Sequence, residues 1–93
     1  MESQKHSRLE LYLEILKSLE ELKKPSLVDI KEKTNAEETF LNHAMVFLEK
    51  QDLIRKENAE NRIVYLNTPR GDRVTRYFKE MHQETIQEQF SLA

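Results

Sequence analysis

The chain has 93 residues, enough for one core and too few for two ordinary ones. It has no cysteine, one glycine and two prolines, which excludes disulfide staples, thiolate metal sites and phosphate-cradling glycine loops and argues against a turn-rich sandwich or barrel. The formal charge is −2, from 15 basic and 17 acidic residues, and no apolar run approaches the ~20 residues that span a membrane.

The first element is an amphipathic helix. Leu9, Tyr12, Leu13, Leu16 and Leu19 recur at steps of three and four, and Ile15 and Leu22 widen the stripe. Lys23-Lys24-Pro25 ends it, because proline disfavours helical geometry before itself and lysines suit a helix C-terminus. Ser26 opens a second, short helix. Serine at the cap with Asp29 three residues on resembles a capping box, Asp standing for the usual Glu. Leu27, Ile30 and Val28 are expected to point inward, and the helix to end near Lys33.

Thr34-Asn35-Ala36 is the tight connection, with Asn35 the residue best able to sit at positive φ. A third helix is expected over 37–51, burying Phe40, Leu41, Ala44, Phe47 and Leu48. The period then changes. Ile54-Arg55-Lys56-Glu57 alternates weakly, Asn58-Ala59-Glu60-Asn61 reads as a turn, and Arg62-Ile63-Val64-Tyr65-Leu66 is β-branched and aromatic. This predicts a two-stranded hairpin. Thr68-Pro69 reads as a helix start, threonine capping and proline at the first helical position. The last helix is expected to run over 69–90, with Val74, Tyr77, Phe78, Met81, Ile86 and Phe90 as its apolar stripe.

The fold class that follows is mainly α with a small two-stranded β-hairpin. Two helices on a short turn, then a wing, is the winged helix-turn-helix arrangement with a long C-terminal helix added. The whole chain, 1–93, is expected to be one such domain, with the helix-turn-helix and wing over 7–68. Two segments carry a resemblance. Phe47-Leu48-Glu49-Lys50-Gln51-Asp52-Leu53-Ile54 resembles the end of a winged-helix recognition helix, with Asp52 where the family usually has glycine. Tyr65-Leu66-Asn67-Thr68-Pro69-Arg70-Gly71 resembles the passage from wing to last helix. Together they make the stretch from Leu9 to Met81 similar to small archaeal winged-helix regulators of the ArnR-like type. The resemblance implies a homodimer built on the last helix. Phe78, Met81, Ile86 and Phe90 are the candidate dimer residues, with Leu9 and Tyr12 of the first helix to receive them. A frayed monomeric tail is the plainer reading.

The single glycine falls in the first turn of the last helix, where it costs about 1 kcal/mol against alanine. Close packing there would explain Gly71, so Gly71→Ala is expected to destabilise.

Charge is segmented. Residues 1–53 hold 8 basic and 11 acidic side chains, residues 54–79 hold 7 basic and 3 acidic, and residues 80–93 hold three glutamates alone. The basic stretch covers the wing and the start of the last helix. Arg55, Lys56, Arg62, Arg70 and Arg73 are therefore candidates for phosphate contacts on double-stranded DNA, against the plainer reading of a solvated face with pairs such as Asp72–Arg76. Arg62 has the further alternatives of a minor groove or a pair with Glu57 or Glu60. The third helix is expected to turn Glu38, Thr39, Asn42, His43, Val46 and Glu49 outward, and the first five of these are the candidates to read base edges. Its glutamates repel phosphates, which leaves open a solvated or protein-contacting face instead. A DNA-binding transcription regulator is the leading expectation, and a winged-helix protein-interaction module is the alternative.

No enzyme, cofactor or metal site is expected. His6, His43 and His82 are scattered, and no serine sits in a nucleophile motif. The N-terminus has no charged-then-apolar leader, so the expected location is the cytoplasm.

Overall fold

Helices in the computed structural model begin where a side chain can satisfy the first free backbone amides. The structure describes residues 7–92, with side chains as far as Met81. The elements are α1 (Arg8–Leu22), α2 (Leu27–Thr34), α3 (Glu38–Lys50), β1 (Ile54–Ala59), β2 (Arg62–Asn67) and α4 (Pro69–Leu92). Ser7 and Glu10 form a reciprocal capping box on α1. Ser26 and Asp29 form the second, as the sequence predicts, with the Ser26 amide donating to Asp29 Oδ2 over 3.0 Å. Glu37 caps α3, its carboxylate accepting from the Phe40 amide. Thr68 caps α4, its hydroxyl accepting from the Gly71 amide at 3.0 Å.

The ends of these helices turn on residues with positive φ. Asn35 closes α2 at φ 56°, ψ 33°, in the left-handed region as expected. α3 closes differently. The Asp52 amide donates to the Glu49 carbonyl and the Leu53 amide to the Leu48 carbonyl, the paired bonds of a Schellman ending, with Asp52 at φ 61°. This is the position where the resembling family carries glycine, and the backbone shows why. Lys23 and Lys24 also have positive φ, at 55° and 53°. They deliver Pro25 to β2, where the Pro25 carbonyl accepts from the Tyr65 amide at 2.9 Å. That bond covers the free edge of β2.

The core is a layer of α1, α2 and α3 side chains closed by the root of the wing. Leu11, Ile15, Leu16 and Leu19 of α1 meet Ile30 of α2, Leu41, Ala44, Met45 and Leu48 of α3, and Ile54 of β1. The phase of α1 differs from the expected stripe. Leu11, absent from that stripe, is fully buried, while Leu9 is 53% exposed and Tyr12 and Leu13 are half-buried. α1 has leucine on most of its circumference, so composition leaves the phase to its partners. Three further expectations are corrected. Val28 points outward at 63% exposure, because α2 buries only Ile30 and Thr34 fully. Met45 is buried where Phe47 was expected, and the Phe47 ring lies at the surface, stacked on Tyr12 at 4.7 Å between centroids. Tyr77 of α4 is exposed, because that helix turns Gly71, Val74, Thr75 and Phe78 inward instead.

The hairpin is antiparallel, from Ile54↔Asn67 to Ala59↔Arg62. Its loop is only Glu60-Asn61, at φ 49° and 69°, shorter than the four-residue turn expected. Two consecutive left-handed residues fit a type I′ loop, whose twist matches the strands. The missing glycine hid that loop in the sequence.

α4 starts against the α3–β1 link. The Thr68 amide donates to the Leu53 carbonyl at 3.1 Å, and the Thr68 hydroxyl donates to the Asp52 carbonyl at 2.6 Å. A β-carbon on Gly71 would overlap the Leu53 carbonyl oxygen and press on Asn67 Oδ1. Neither neighbour yields cheaply, since one is hydrogen-bonded backbone and the other is a side chain whose Nδ2 is tied to the Leu16 carbonyl at 3.2 Å. We expect Gly71→Ala to lower stability by about 1–3 kcal/mol despite its better helix propensity. Urea denaturation of the variant beside Arg76→Ala, an exposed control, measures this. A stabilised Gly71→Ala protein would refute the packing account.

Candidate nucleic-acid interface

The outer face of α3 follows from its burial. Leu41, Ala44, Met45 and Leu48 face the core, so the opposite line must carry Thr39, His43, Val46 and Lys50. At 3.6 residues per turn these four lie within about 60° of one another. All four are exposed, as are Glu38 and Asn42. Every α3 residue predicted as a contact is thus on the surface, but they do not share one line. Glu38 and Glu49 stand roughly a quarter turn to one side. That flank faces the wing, where Lys56 Nζ lies 4.0 Å from Glu49 Oε2. The acidic character of α3 is therefore lateral, and its outermost line bears no carboxylate. Lys50, left out of the predicted contact set, belongs to that line. Its signal was the spacing of eleven from Thr39, three helical turns, hidden by the overall acidity of the segment.

The predicted wing cations are separated by the strand register. Arg55 and Arg62 share one face of the hairpin, and Lys56 projects from the other with Tyr65 and Ile63. The Lys56–Glu49 contact turns this face toward α3, and burial, with the Glu49 carboxylate second, pushes the Tyr65 phenol above its ordinary value. Arg55 Nη2 is 3.6 Å from Glu57 on its own strand. Arg62 is paired with neither Glu57 nor Glu60. Its Nη2 donates to Asp29 Oδ2 at 3.2 Å, linking the tip of the wing to the first turn of α2. Asp29 thereby serves two partners at once. The Ser26 amide and hydroxyl hold its carboxyl below the usual carboxylate value, with Arg62 adding to the effect and desolvation opposing it.

The α4 cations lie apart. α4 packs on α1 and β2, and Lys79 Nζ reaches Glu20 Oε1 of α1 at 3.2 Å. Arg70, Arg73 and Arg76 project from the opposite, exposed side of α4. The structure brings Lys56 against Glu49 on the wing flank of α3, sets Arg62 beside the α2 N-terminus, and leaves Arg70 and Arg73 at and beyond the foot of the wing. The Asp72–Arg76 pair of the plainer reading is not formed.

Among the candidate dimer residues, Phe78 is half-buried, Met81 and Leu9 are exposed, and Tyr12 is engaged by Phe47. Ile86 and Phe90 lie outside the described side chains. Among the described residues no group of three or more His, Asp or Glu side chains is placed to hold a metal ion. No helix among them is long and apolar enough to cross a membrane.

No family model matches the sequence, and no curated protein does. Solved structures do match. MepR, a transcription regulator of the Staphylococcus aureus multidrug efflux pump MepA, is 19% identical with a TM-score of 0.80, over 89% of this chain and 64% of that one. A variant of Lactococcus lactis ZitR is 23% identical with a TM-score of 0.73, over 98% of this chain and 64% of that one. Bordetella bronchiseptica BpsR, whose DNA binding is regulated by 6-hydroxynicotinic acid, is 18% identical with a TM-score of 0.73, over 86% and 59%. This chain spans about three fifths of the length of the structures it matches. These proteins are bacterial, and the likeness carries the fold without singling out the archaeal ArnR-like kind. The chain has the winged helix-turn-helix fold.

A depressed Asp29 stabilises the fold above the ordinary carboxylate value of 3.8, and that contribution is lost as pH falls through the lower folded value. Asn at this position can still accept from the Ser26 amide but cannot titrate. We expect Asp29→Asn to flatten the acid limb of the stability profile, measured as the urea midpoint from neutral pH downward. An unchanged limb would show that Asp29 is not linked to folding.

Proposed function

We propose that the protein binds double-stranded DNA as a transcription regulator. The observation that carries this is the carboxylate-free outer line of α3, exposed over its length, with Lys56 of the wing on its flank. α3 lies in the major groove and presents Thr39, Asn42, His43 and Val46 to base edges, with Glu38 at its margin. Lys50 and Lys56 meet phosphates at one end of α3, and Arg62 and Arg55 meet them along the wing. Arg70, at the foot of the wing, and Arg73, one turn on, extend the set to flanking phosphates. The fold shared with a transcription regulator such as MepR, and with BpsR, whose DNA binding is regulated, supports the same reading. The segments around Leu53 and Gly71 keep ArnR-like regulators as our finer reading of its kin.

We further infer a homodimer through α4. Met81 and Tyr77 are 44% and 58% exposed on a helix that runs on to Leu92, and Leu9 is exposed on α1. Exposed apolar length on a terminal helix is covered most economically by a copy of itself. Phe78 borders that surface, Tyr12 borders the receiving one, and Ile86 and Phe90, further along the chain, remain candidates for the same contact. A two-fold dimer imposes a two-fold pair of half-sites.

Two measurements test these readings. Each phosphate contact contributes about 0.9 to the salt slope of binding. Alanine at Lys50, Lys56 or Arg62 is expected to reduce the slope on a mixed-sequence duplex by that amount, with Arg76→Ala as the unaffected control. Binding that ignores salt, or no binding at low salt, would instead favour the protein-interaction module. In sedimentation, the unmodified protein is expected as a dimer and Met81→Glu as a folded monomer. A monomer at every concentration would remove the dimer.

A further inference from the structure

Val46 has no structural reason to be where it is. It is a β-branched apolar residue, 49% exposed, at the middle of the outermost line of α3. It adds nothing to the core, which Met45 and Leu48 close beneath it. Two turns earlier, on the same line, stands Thr39, exposed and also ending in a methyl group. Asn42 lies between them, about 40–60° to the wing side. Seven residues separate the two methyl-bearing side chains, ~10 Å along the helix axis. That matches about three base-pair steps of 3.4 Å.

The rest of the face narrows the chemistry. No arginine lies on α3, and its one lysine, Lys50, stands in the last turn rather than at the centre. The usual donors to guanine O6 and N7 are thus missing from the middle of the line. Glu38, the group that accepts from cytosine N4, has rotated to the flank. A face of two methyl-bearing side chains and one amide, with the His43 imidazole on the same line able to reach N7 of either purine, is complementary to thymine methyls and to the paired N6 and N7 of adenine.

We propose that Thr39 and Val46 read thymine C5-methyl groups and that Asn42 reads an adenine between them, so that α3 selects A·T-rich half-sites. The inference rests on the DNA reading of this face and names what that face recognises. Lys50, Lys56 and Arg62 supply the phosphate contacts that hold the helix over the methyls, which is the charge complementarity such a partner requires.

The test is a chemical deletion of the methyl. The unmodified protein is titrated with a mixed-sequence A·T duplex, with the same duplex carrying uracil for every thymine, and with a G·C duplex. Loss of one buried methyl is expected to weaken binding about fourfold, so the thymine duplex should bind several-fold tighter than its uracil twin and tighter than the G·C duplex. Uracil also alters groove shape, and Val46→Ala isolates the contact. The variant keeps the core intact, and it should lose about fourfold of the thymine-over-uracil preference. Equal binding of the two A·T duplexes, or a Val46→Ala protein that discriminates as well as the unmodified one, overturns the proposal while leaving DNA binding in place. Failure to bind any of the three duplexes at low salt removes the DNA reading itself.

Discussion

The carbonyl of Leu53 is the point from which the wing and α4 take their positions. It follows the Schellman ending of α3, it accepts the Thr68 amide, and the Gly71 backbone lies against it. Two links far apart in sequence, α3 to β1 and β2 to α4, are thus tied into one knot. Its members constrain one another. Thr68 can donate to the Asp52 carbonyl only because Asp52 turns left-handed, and it can cap α4 only because Gly71 brings its amide within 3.0 Å. The angle between α3 and the wing is therefore a property of backbone hydrogen bonds and not of side-chain packing alone. A face made of one helix and one hairpin depends on that angle holding.

The punctuation of this fold was legible because local rules decide it. Ser26 with Asp29, Asn35, and Thr68-Pro69 each act through their own neighbours, and each stands where the sequence places it. What failed to be legible was decided at long range. α1 carries so many leucines that periodicity cannot choose between a stripe through Leu9 and one through Leu11. The choice is made by the elements that pack on α1, namely α2, β2, α3 and α4, around a core that takes in Leu11, Ile15 and Leu19. Val28 reads as core on propensity, yet a helix as short as α2 has room to bury little beyond Ile30. The wing loop is shorter than its sequence suggests because Glu60-Asn61 adopts a conformation usually marked by glycine.

The candidate site divides in the same way. Which α3 residues are exposed was readable from spacing. Their distribution around the helix mattered more, because it separates Glu38 and Glu49 from the line that Thr39, His43, Val46 and Lys50 form. Partners of the wing cations were not readable. Arg62 and Asp29 are 33 residues apart and belong to different elements. Only the tertiary path of β2, fixed by the Pro25–Tyr65 bond, brings them together.

That pairing bears on how a chain with a net charge of −2 would hold a polyanion. Lys56, Arg62 and Arg55 are each engaged by a carboxylate in the free protein. All three pairs are largely exposed, and such pairs hold weakly. A phosphate can therefore take the cation by exchange. The counterions released come from the nucleic acid, so the salt dependence of binding survives the exchange. The absolute affinity does not, because each cation leaves an acid behind that then faces the same phosphate field. On the proposed DNA reading, non-specific binding would accordingly be weak. On that reading, discrimination would then fall to α3, whose outermost line has no acid to repel the groove and a single cation, Lys50, confined to its last turn.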